Sequence, residues 1–258
     1  MKRALIGHTG FVGSNLLHNG DFSATFNSST ISDLRGKHFN EIWCAGVKAV
    51  KWWANQNPKE DWRNIQLLLD TLKTVTCDRF ILISTVDIFQ NPLGKNETML
   101  PDEEGLHPYG LHRLKIEKTI KEFFPHHTIV RLPGLFGKGL KKNIIYDFLH
   151  DNQLEKIHSD AQFQFYDLST IYKDCTVALE NDLELVHFAV EPVTVHEVAE
   201  IVLGHQFENK PDGMQPALYD FQTIHAGIFG AQAPYLQSRR EVLERLTAFV
   251  SQEREVAR

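Results

Sequence analysis

The stretch Arg3-Ala-Leu-Ile-Gly7-His-Thr-Gly10-Phe-Val-Gly13-Ser-Asn-Leu-Leu decides the fold of this 258-residue chain. Its first apolar run, Ala4-Leu5-Ile6, is too short for a helix and is typical of a buried parallel strand. Three glycines follow, and the apolar residues after them recur at helical spacing. A strand, a glycine turn and a helix N-terminus in this order form the phosphate site of a βαβ unit, because backbone N–H groups and the helix dipole face the anion. The stretch therefore predicts dinucleotide binding, with a bare glycine turn as the alternative.

The composition is typical of an ordinary soluble enzyme. A formal net charge of −6 argues against a general affinity for nucleic acid or an anionic membrane, and no apolar run approaches the ~20 residues that span a bilayer. The strand that begins at residue 4 leaves no room for a signal peptide. Cys44, Cys77 and Cys175 are widely spaced in apolar surroundings, which predicts buried free thiols in a reducing cytoplasm. No metal site is expected.

The second predicted strand ends at the position where an acid would select NAD by binding the ribose 2′-hydroxyl. Asn27, Ser28 and Ser29 stand there instead. Neutral side chains tolerate a 2′-phosphate, although no arginine or lysine adjoins them to bind one. The choice between NADP and NAD is therefore open, with NADP slightly favoured. Asp33 and Leu34 come next, where they would lie along the adenine; a plain turn explains Asp33 equally well.

The next central strand, residues 41–46, ends in Ala45-Gly46, and small residues there let a cofactor pass close to the backbone. Lys48 and Lys51 follow, with the charge to reach a phosphate or a substrate anion. A solvated loop lysine is the alternative for each.

Residues 80–89 form the most strand-like segment and carry the two hydroxyls of Ser84 and Thr85. A helix is predicted soon afterwards, because Pro108 occupies a usual position for proline at a helix start. Tyr109 and Arg113 are spaced i, i+4 and so share one face of that helix. Further helices are predicted at residues 62–75, 144–154, 171–179, 195–203 and 239–254, with a strand at 183–190.

Seven motifs in order resemble those of the extended short-chain dehydrogenase/reductases, the superfamily of nucleotide-sugar epimerases, dehydratases and reductases. They are the turn Gly7–Gly13, Ala45-Gly46, Asn64 ahead of an apolar helix, Ile83–Phe89, Pro108-Tyr109-Gly110, Arg131–Gly137 and Glu191–Ala199. The resemblance implies a Rossmann-type doubly wound parallel sheet at residues 1–137 and 163–190. It also implies a small C-terminal substrate-binding lobe at residues 138–162 and 191–258, and a homodimer.

The resemblance implies individual roles as well. Tyr109 would be the acid/base, Thr85 would hydrogen-bond the reacting oxygen, and Arg113 would hold the nicotinamide ribose and set the charge beside Tyr109. The implied cofactor-binding residues, besides Tyr109 and Arg113, are Gly7, Thr9, Gly10, Phe11, Val12, Gly13, Asn27, Ser28, Ser29, Asp33, Leu34, Ala45, Gly46, Ser84, Pro133 and Leu135. The substrate-binding candidates are Lys48, Val86, Lys138, Lys142 and Asn143.

Two departures from the family pattern concern catalysis and substrate. The family motif is YxxxK, and Arg113 occupies the position of its lysine. A guanidinium favours a phenolate through its charge but does not deprotonate in proteins, so it cannot join a proton relay. The stretch of residues 159–169 contains no arginine, whereas the family grips a sugar-nucleotide pyrophosphate with an arginine just before the corresponding strand. The basic loop at residues 137–143 is the remaining candidate for an anion site, with a solvated basic turn as the alternative.

The predicted function is that of an NAD(P)-dependent oxidoreductase or epimerase, which transfers a hydride on a hydroxyl or ketone of a sugar or sugar nucleotide. One alternative is a sensor or scaffold that binds NAD(P) with little or no catalysis. Another is a reductase or isomerase of a small non-nucleotide carbonyl compound.

Overall fold

A computed structural model describes residues 1–256. The strands are β1 (Arg3–Ile6), β2 (Ala24–Phe26), β3 (His38–Cys44), β4 (Thr76–Thr85), β5 (Leu93–Lys95), β6 (His127–Leu132), β7 (Gly134–Phe136), β8 (Gln162–Phe163), β9 (Phe165–Asp167), β10 (Leu185–His187), β11 (Val193–Thr194) and β12 (Asp220–Phe221). The α-helices are α1 (Phe11–Asn19), α2 (Lys51–Gln56), α3 (Pro58–Leu72), α4 (Pro108–Phe123), α5 (Ile144–Leu149), α6 (Ile171–Glu180), α7 (Val195–Leu203) and α8 (Arg239–Val256). Within residues 1–256, none of these helices has the length and apolar character needed to cross a membrane.

The chain divides into two compact units. The first comprises Met1–Asn91, Glu97–Leu132 and Thr170–His187, and the second comprises Pro92–Asn96, Pro133–Ser169 and the chain from Phe188 onward.

The first unit is built on a six-stranded parallel sheet in the order β10-β6-β4-β3-β1-β2. This confirms the predicted Rossmann-type parallel sheet. The strand order reverses between β1 and β3, so the carboxyl ends of these two strands form the topological switch point where such sheets bind ligands. Helix α1 packs with α6, and α3 packs with α4.

Within residues 1–256 the sheet lacks one strand of the usual dinucleotide-binding order, which continues beyond β2. Here β2 is an edge strand, and the chain passes through a single 3-10 turn, Ile31–Leu34, directly into β3. Ala45-Gly46 therefore follows the third strand of the sheet, whereas the family places its small pair after the fourth.

The core of the first unit lies between the sheet and helices α3 and α4. Its buried apolar side chains include Ile42, Phe80, Ile65, Leu72 and Ile116, all less than 5% exposed. Each such side chain contributes roughly 1.5–3 kcal/mol of transfer free energy on burial, which fixes both helices against one face of the sheet.

Several boundaries in the first unit differ from the sequence prediction. Strand β3 ends at Cys44, so Ala45-Gly46 follows the strand and is not its end. The strand predicted at residues 183–190 is limited to Leu185–His187, and α3 ends at Leu72 and not at residue 75.

Helix α3 begins at Pro58, four residues earlier than expected, because proline at the first helical position has the φ that a helix needs. Strand β4 ends at Thr85 and not at Phe89, since a 3-10 turn over Val86–Ile88 follows. The Thr85 hydroxyl caps this turn by accepting the backbone N–H of Asp87 at 3.1 Å, which places Thr85 at the carboxyl edge of the sheet.

The second unit contains α5, α7, α8 and three two-stranded sheets, β11-β8, β12-β5 and β7-β9. Helix α7 has the predicted bounds, because Thr194 and Glu197 form a capping box at its start. Arg239 at the start of α8 pairs with the same glutamate, Nη2 to Oε2, at 2.6 Å. The helix predicted at residues 144–154 ends at Leu149, since positive φ angles at Asp151 and Gln153 interrupt it.

The bounds of the second unit differ from those of the predicted lobe. Residues 92–96, 133–137, 163–169 and 188–190 also belong to it. One reason is the pairing of β7 with β9. Another is the buried amide of Gln164, which donates to the carbonyls of Val190 at 2.6 Å and Phe221 at 2.7 Å.

The free thiols of Cys44 and Cys175 are buried, as predicted, whereas Cys77 is half-buried. Burial raises the pKa of the Cys44 thiol to about 11, so this group is unreactive at neutral pH.

Candidate active site

The glycine turn lies at the switch point of the sheet. Gly7 follows β1 with φ +87°, and a Cβ there would lie 2.4 Å from the carbonyl oxygen of Ala45 after β3. A Cβ on Gly13 would lie 2.0 Å from the carbonyl oxygen of Gly7. Only glycine fits at these two positions, because a side chain would collide with backbone. The structure thus brings Gly7, Gly13, Ala45 and Gly46 together, as the sequence predicted.

The N-terminus of α1 opens from this turn. Gly10 is the N-cap and, as a glycine, has no side chain to make a capping hydrogen bond. The first N–H groups of a helix lack intrahelical acceptors. The backbone N–H groups of Phe11, Val12 and Gly13 are therefore donors at the positive end of the helix dipole. Thr9 and Gly10 are exposed beside them. The arrangement suits a phosphate.

The end of β2 forms a tight polar turn. The Asn27 carboxamide oxygen accepts the N–H of Ser29 at 2.9 Å, the hydroxyl of Ser29 at 2.7 Å and the N–H of Thr30 at 3.2 Å. Ser28 and Asp33 are exposed, but the side chain of Leu34 is fully buried in the core. Leu34 therefore offers no side-chain surface to an adenine, in contrast to its predicted place.

Tyr109 lies at the second position of α4. Asn55 on α2 anchors its backbone by accepting the Tyr109 N–H at 2.9 Å, and the side chain is hydrogen-bonded to Thr85. Burial raises the pKa of Tyr109; Arg113, the Thr85 hydrogen bond and Lys51 lower it, while Asp87 raises it further. Tyr109 is therefore a protonated phenol at neutral pH, which is the form that can protonate a ketone oxygen.

Arg113 is buried beneath this tyrosine. Its guanidinium carbon lies 4.3 Å from the centroid of the Tyr109 ring, within the range of a cation–π contact. Nη1 lies 3.1 Å from Oδ2 of Asp61, and Nη2 donates to the carbonyl of Lys48. The same Asp61 oxygen lies 2.7 Å from Nδ1 of His112. The positive charge at the YxxxK position is thus paired within the protein.

The two lysines after β3 occupy different environments. The side chain of Lys48 is exposed, and its backbone carbonyl is the acceptor for Arg113. Lys51 at the start of α2 forms an ion pair with Asp87, Nζ to Oδ1, at 2.9 Å. Asp87 lies in the turn that Thr85 caps, so Lys51 is joined to the strand that carries the threonine.

Ser84 takes part in a buried ionic network. Its hydroxyl donates to Glu117 Oε1 at 2.5 Å, and Arg131 binds both oxygens of that carboxylate at 3.0 and 2.6 Å. Arg131 also contacts Nε2 of His187 at 3.2 Å. The network ties β4, α4, β6 and β10 together. Val86, a predicted substrate residue, is likewise buried, only 2% exposed.

The remaining predicted ligand residues lie in the second unit. Asn143 caps α5, since its Oδ1 accepts the N–H groups of Ile145 and Tyr146 while its Nδ2 donates to the carbonyl of Leu135. Lys138 and Lys142 are exposed, and Pro133 and Leu135 are half-buried. A cavity of about 320 Å³ in the first unit lies at the amino edge of the sheet, away from the glycine turn. The second unit holds one of about 230 Å³, whose lining includes Asp147, Lys156, His158 and Phe163.

Four residues of the site were not predicted from the sequence: Asn55, Asp61, His107 and His112. Asp61 lies 51 and 52 positions before its partners on α4, and no local pattern indicates such a pairing. His107 carried a usable signal, because the residue before a proline at the first helical position is the N-cap. Asn64, which carried part of the resemblance, is exposed on α3.

His107 makes helix α4 sensitive to pH. Its Nδ1 accepts the N–H of Gly110 at 2.9 Å, which requires a neutral imidazole. Burial lowers the pKa of His107, and nearby Lys51 lowers it further, while Asp87 and a backbone hydrogen bond oppose them. Since the folded pKa lies below the unfolded value of about 6.5, this contribution to stability is complete above that pH and declines as the pH falls below it.

We therefore expect His107→Asn, which caps at any pH, to become the more stable protein in acid. Relative to the wild type, its free energy of unfolding should gain about 1 kcal/mol between pH 7.5 and pH 5, the usual size of an N-cap contribution. Urea unfolding at both pH values measures the change. Parallel behaviour of the two proteins would contradict the capping role.

Comparison with known proteins supports the fold independently. No protein-family model matches the chain, and no curated protein matches its sequence. UDP-glucose 4-epimerase from Thermotoga maritima, solved with UDP-glucose, superposes with a TM-score of 0.76 at 15% identity, covering 100% of both chains. dTDP-4-dehydrorhamnose reductase from Bacillus anthracis, solved with NADP, gives 0.71 at 16% identity, covering 98% of this chain and 99% of the other.

UDP-glucuronic acid 4-epimerase from Bacillus cereus, solved with a fluorinated UDP-glucuronic acid and NAD, gives a TM-score of 0.72 at 16% identity. The match covers 99% of this chain and 100% of that one. The chain thus has the fold of these proteins over its whole length.

Proposed function

We propose that this protein is an NAD(P)-dependent oxidoreductase or epimerase of the extended short-chain dehydrogenase type, acting on a hydroxyl or ketone of a sugar or sugar nucleotide. One juxtaposition carries the proposal. The Gly7–Gly13 turn lies at the switch point between β1 and β3. Thr85, hydrogen-bonded to Tyr109, lies at the carboxyl end of β4, the strand next to β3. Structures of the same fold contain UDP-glucose, NADP or NAD.

In this proposal the chain's residues handle the proton, and the dinucleotide supplies the hydride chemistry when bound. Tyr109 donates its phenolic proton to the ketone oxygen in the reductive direction and recovers it in the oxidative direction. Thr85 orients the reacting oxygen. Arg113 holds the Tyr109 ring from beneath, and any contact with the nicotinamide ribose would use guanidinium N–H groups other than those directed at Asp61 and Lys48.

The cofactor is NADP or NAD, with NADP slightly favoured because neutral side chains follow β2. For the substrate anion we keep Lys138 and Lys142, which are exposed beside the start of α5. The buried thiols suit a reducing cytoplasm. A homodimer remains part of the proposal.

A second candidate function is dinucleotide binding with little or no catalysis. The observation that favours it is the ion pair of Arg113 with Asp61, because a charge neutralised by a buried carboxylate stabilises a phenolate less. In that case a dinucleotide would stabilise the protein while no sugar nucleotide turned over.

Gly13→Ala tests the cofactor site. The added Cβ would lie 2.0 Å from the carbonyl of Gly7, so the turn must open and the phosphate site is lost. At a dinucleotide concentration 100 times the Kd, the wild type gains about 2.7 kcal/mol of stability, measured as a rise in Tm with NADPH or NADH. We expect no rise for the variant.

The matched control is Gly227→Ala, whose Cβ meets no atom within 4 Å, and which should respond as the wild type does. Circular dichroism of Gly13→Ala without ligand checks that it is folded. A wild-type protein that responds to neither dinucleotide would contradict the proposed function.

A further inference from the structure

In the family, a lysine at the position of Arg113 supplies a positive charge beside the catalytic tyrosine. Arg113 does not fill that role completely. Arg113 is 4% exposed, and its guanidinium is held by Asp61 on one side and by the Lys48 carbonyl on the other. It stacks on the face of the Tyr109 ring, whereas the proton to be moved is on the hydroxyl at the edge of that ring. A guanidinium also keeps its proton throughout, so it cannot exchange one with the phenol.

A lysine from a different element approaches the same tyrosine. Lys51 Nζ lies 2.9 Å from Oδ1 of Asp87, and the backbone N–H of Asp87 donates a hydrogen bond to the Thr85 hydroxyl. The backbone at Asp87 touches the start of α4, since a Cβ on Gly110 would lie 2.4 Å from the Asp87 carbonyl oxygen. Lys51, Asp87 and Thr85 therefore form a polar chain that ends at Tyr109.

The segment that carries Lys51 is fastened to α4 at both sides of the lysine. Before it, the Lys48 carbonyl accepts a hydrogen bond from Arg113. After it, Asn55 accepts the backbone N–H of Tyr109 at 2.9 Å. The arginine at the lysine position thus holds in place the loop from which another lysine projects.

We propose that Lys51 supplies a second positive charge that stabilises the Tyr109 phenolate, beside that of Arg113 and from a different element than the lysine that the family carries on the tyrosine's own helix. This inference rests on the proposed function. Lys51 acts through Tyr109 and Asp87 and is a positioning residue, while Arg113 fixes the ring and the Lys51 segment. The side chain of Lys51 is 41% exposed, so its ammonium group remains in exchange with solvent protons.

Charged and titratable groups act on Tyr109 from several elements, and Asp61 of α3 acts through its ion pair with Arg113. Asp87 contributes a negative charge from the turn after β4, Arg113 a positive charge from α4 and Lys51 a positive charge from α2. The His107 ring lies 6.2 Å from the Tyr109 ring, centroid to centroid. Removing Lys51 takes away the ion-pair partner of Asp87, so the lost positive charge and the less compensated negative charge both raise the pKa of the phenol.

The experiment is a 13C NMR titration of protein labelled with [ζ-13C]tyrosine, with the Tyr109 signal assigned by its absence in Tyr109→Phe. Between pH 7 and 11.5 we expect the ionisation midpoint of Tyr109 to rise by about 1 pH unit in Lys51→Met. Lys51→Arg, which keeps the charge, should titrate as the wild type does. Asp87→Asn should lower the midpoint, because it removes the negative charge.

Lys59→Met is the matched control, since Lys59 is an exposed lysine on α3 and its loss changes net charge equally. A shift in Lys51→Met no larger than that in Lys59→Met would overturn the inference. So would an equal shift in Lys51→Arg, or a wild-type Tyr109 that stays protonated throughout. The titration needs no substrate, so its outcome is separate from the absence of turnover that would refute the proposed function.

Discussion

Tyr109→Phe lowers turnover by about 10²–10⁴-fold and leaves dinucleotide binding unchanged. The substitution removes only the hydroxyl that is bonded to Thr85; the ring still packs on the Arg113 guanidinium at 4.3 Å, and the backbone bond to Asn55 is kept. Loss of a general acid costs about 10²–10⁴-fold in rate. The kcat with a responsive sugar nucleotide should fall by that factor, while the dinucleotide Kd from calorimetry stays the same.

Tyr146→Phe is the control for this prediction. Tyr146 lies on α5, where its ring stacks on His150 at 4.0 Å, and removal of its hydroxyl should leave kcat unchanged. A Tyr109→Phe protein that retains wild-type turnover would contradict the assignment of Tyr109 as the proton donor. A loss of dinucleotide binding would instead show that the hydroxyl is needed for binding.

Arg113→Met lowers the free energy of unfolding by about 3–5 kcal/mol, the usual result of removing one partner from a buried ion pair. The variant leaves the carboxylate of the buried Asp61 with His112 as a remaining partner. It also frees the Lys48 carbonyl. Urea unfolding at pH 7.5 measures the loss. Arg240→Met, which breaks a pair of residues with 84% and 67% exposed side chains, should cost less than about 1 kcal/mol.

A double-mutant cycle with Asp61→Asn separates the ion pair from the packing of the arginine. We expect the double variant to lose less stability than the sum of the two single variants, because neither charge is then left unpaired in the interior. Additive losses would show that Asp61 and Arg113 do not interact, and would remove the basis for assigning Arg113 a clamping role.

The parts of the fold that were predicted correctly are those set by local sequence. The turn from Gly7 to Gly13 can be recognised from its glycines, because a Cβ has no room at either end. Helix α4 begins at Pro108, as proline at the first helical position predicts. Helix α7 was placed correctly, and its start is held locally, since Thr194 and Glu197 satisfy backbone groups three residues apart in a capping box. In each case a neighbour in sequence supplies the physical constraint.

The parts that were missed depend on contacts between distant residues. Sheet order is a property of the folded chain, so the missing strand beyond β2 could not be read from residues 27–38. Asp61 is buried only because His112 and Arg113 reach it from another helix. Lys51 was identified as a basic residue near the site, but its partner Asp87 lies 36 positions later. Spacing alone gave no reason to prefer it to Lys48.

The most direct test of the proposed activity follows a deuterium atom. The protein is incubated with NADPH or NADH deuterated at the nicotinamide C4 and a set of keto-sugar nucleotides, and mass spectrometry measures deuterium in the sugar. We predict transfer to at least one of them by the wild type, and transfer about 10²–10⁴-fold slower by Tyr109→Phe. A wild-type protein that binds the dinucleotide yet transfers no deuterium to any of them would contradict the proposed hydride transfer.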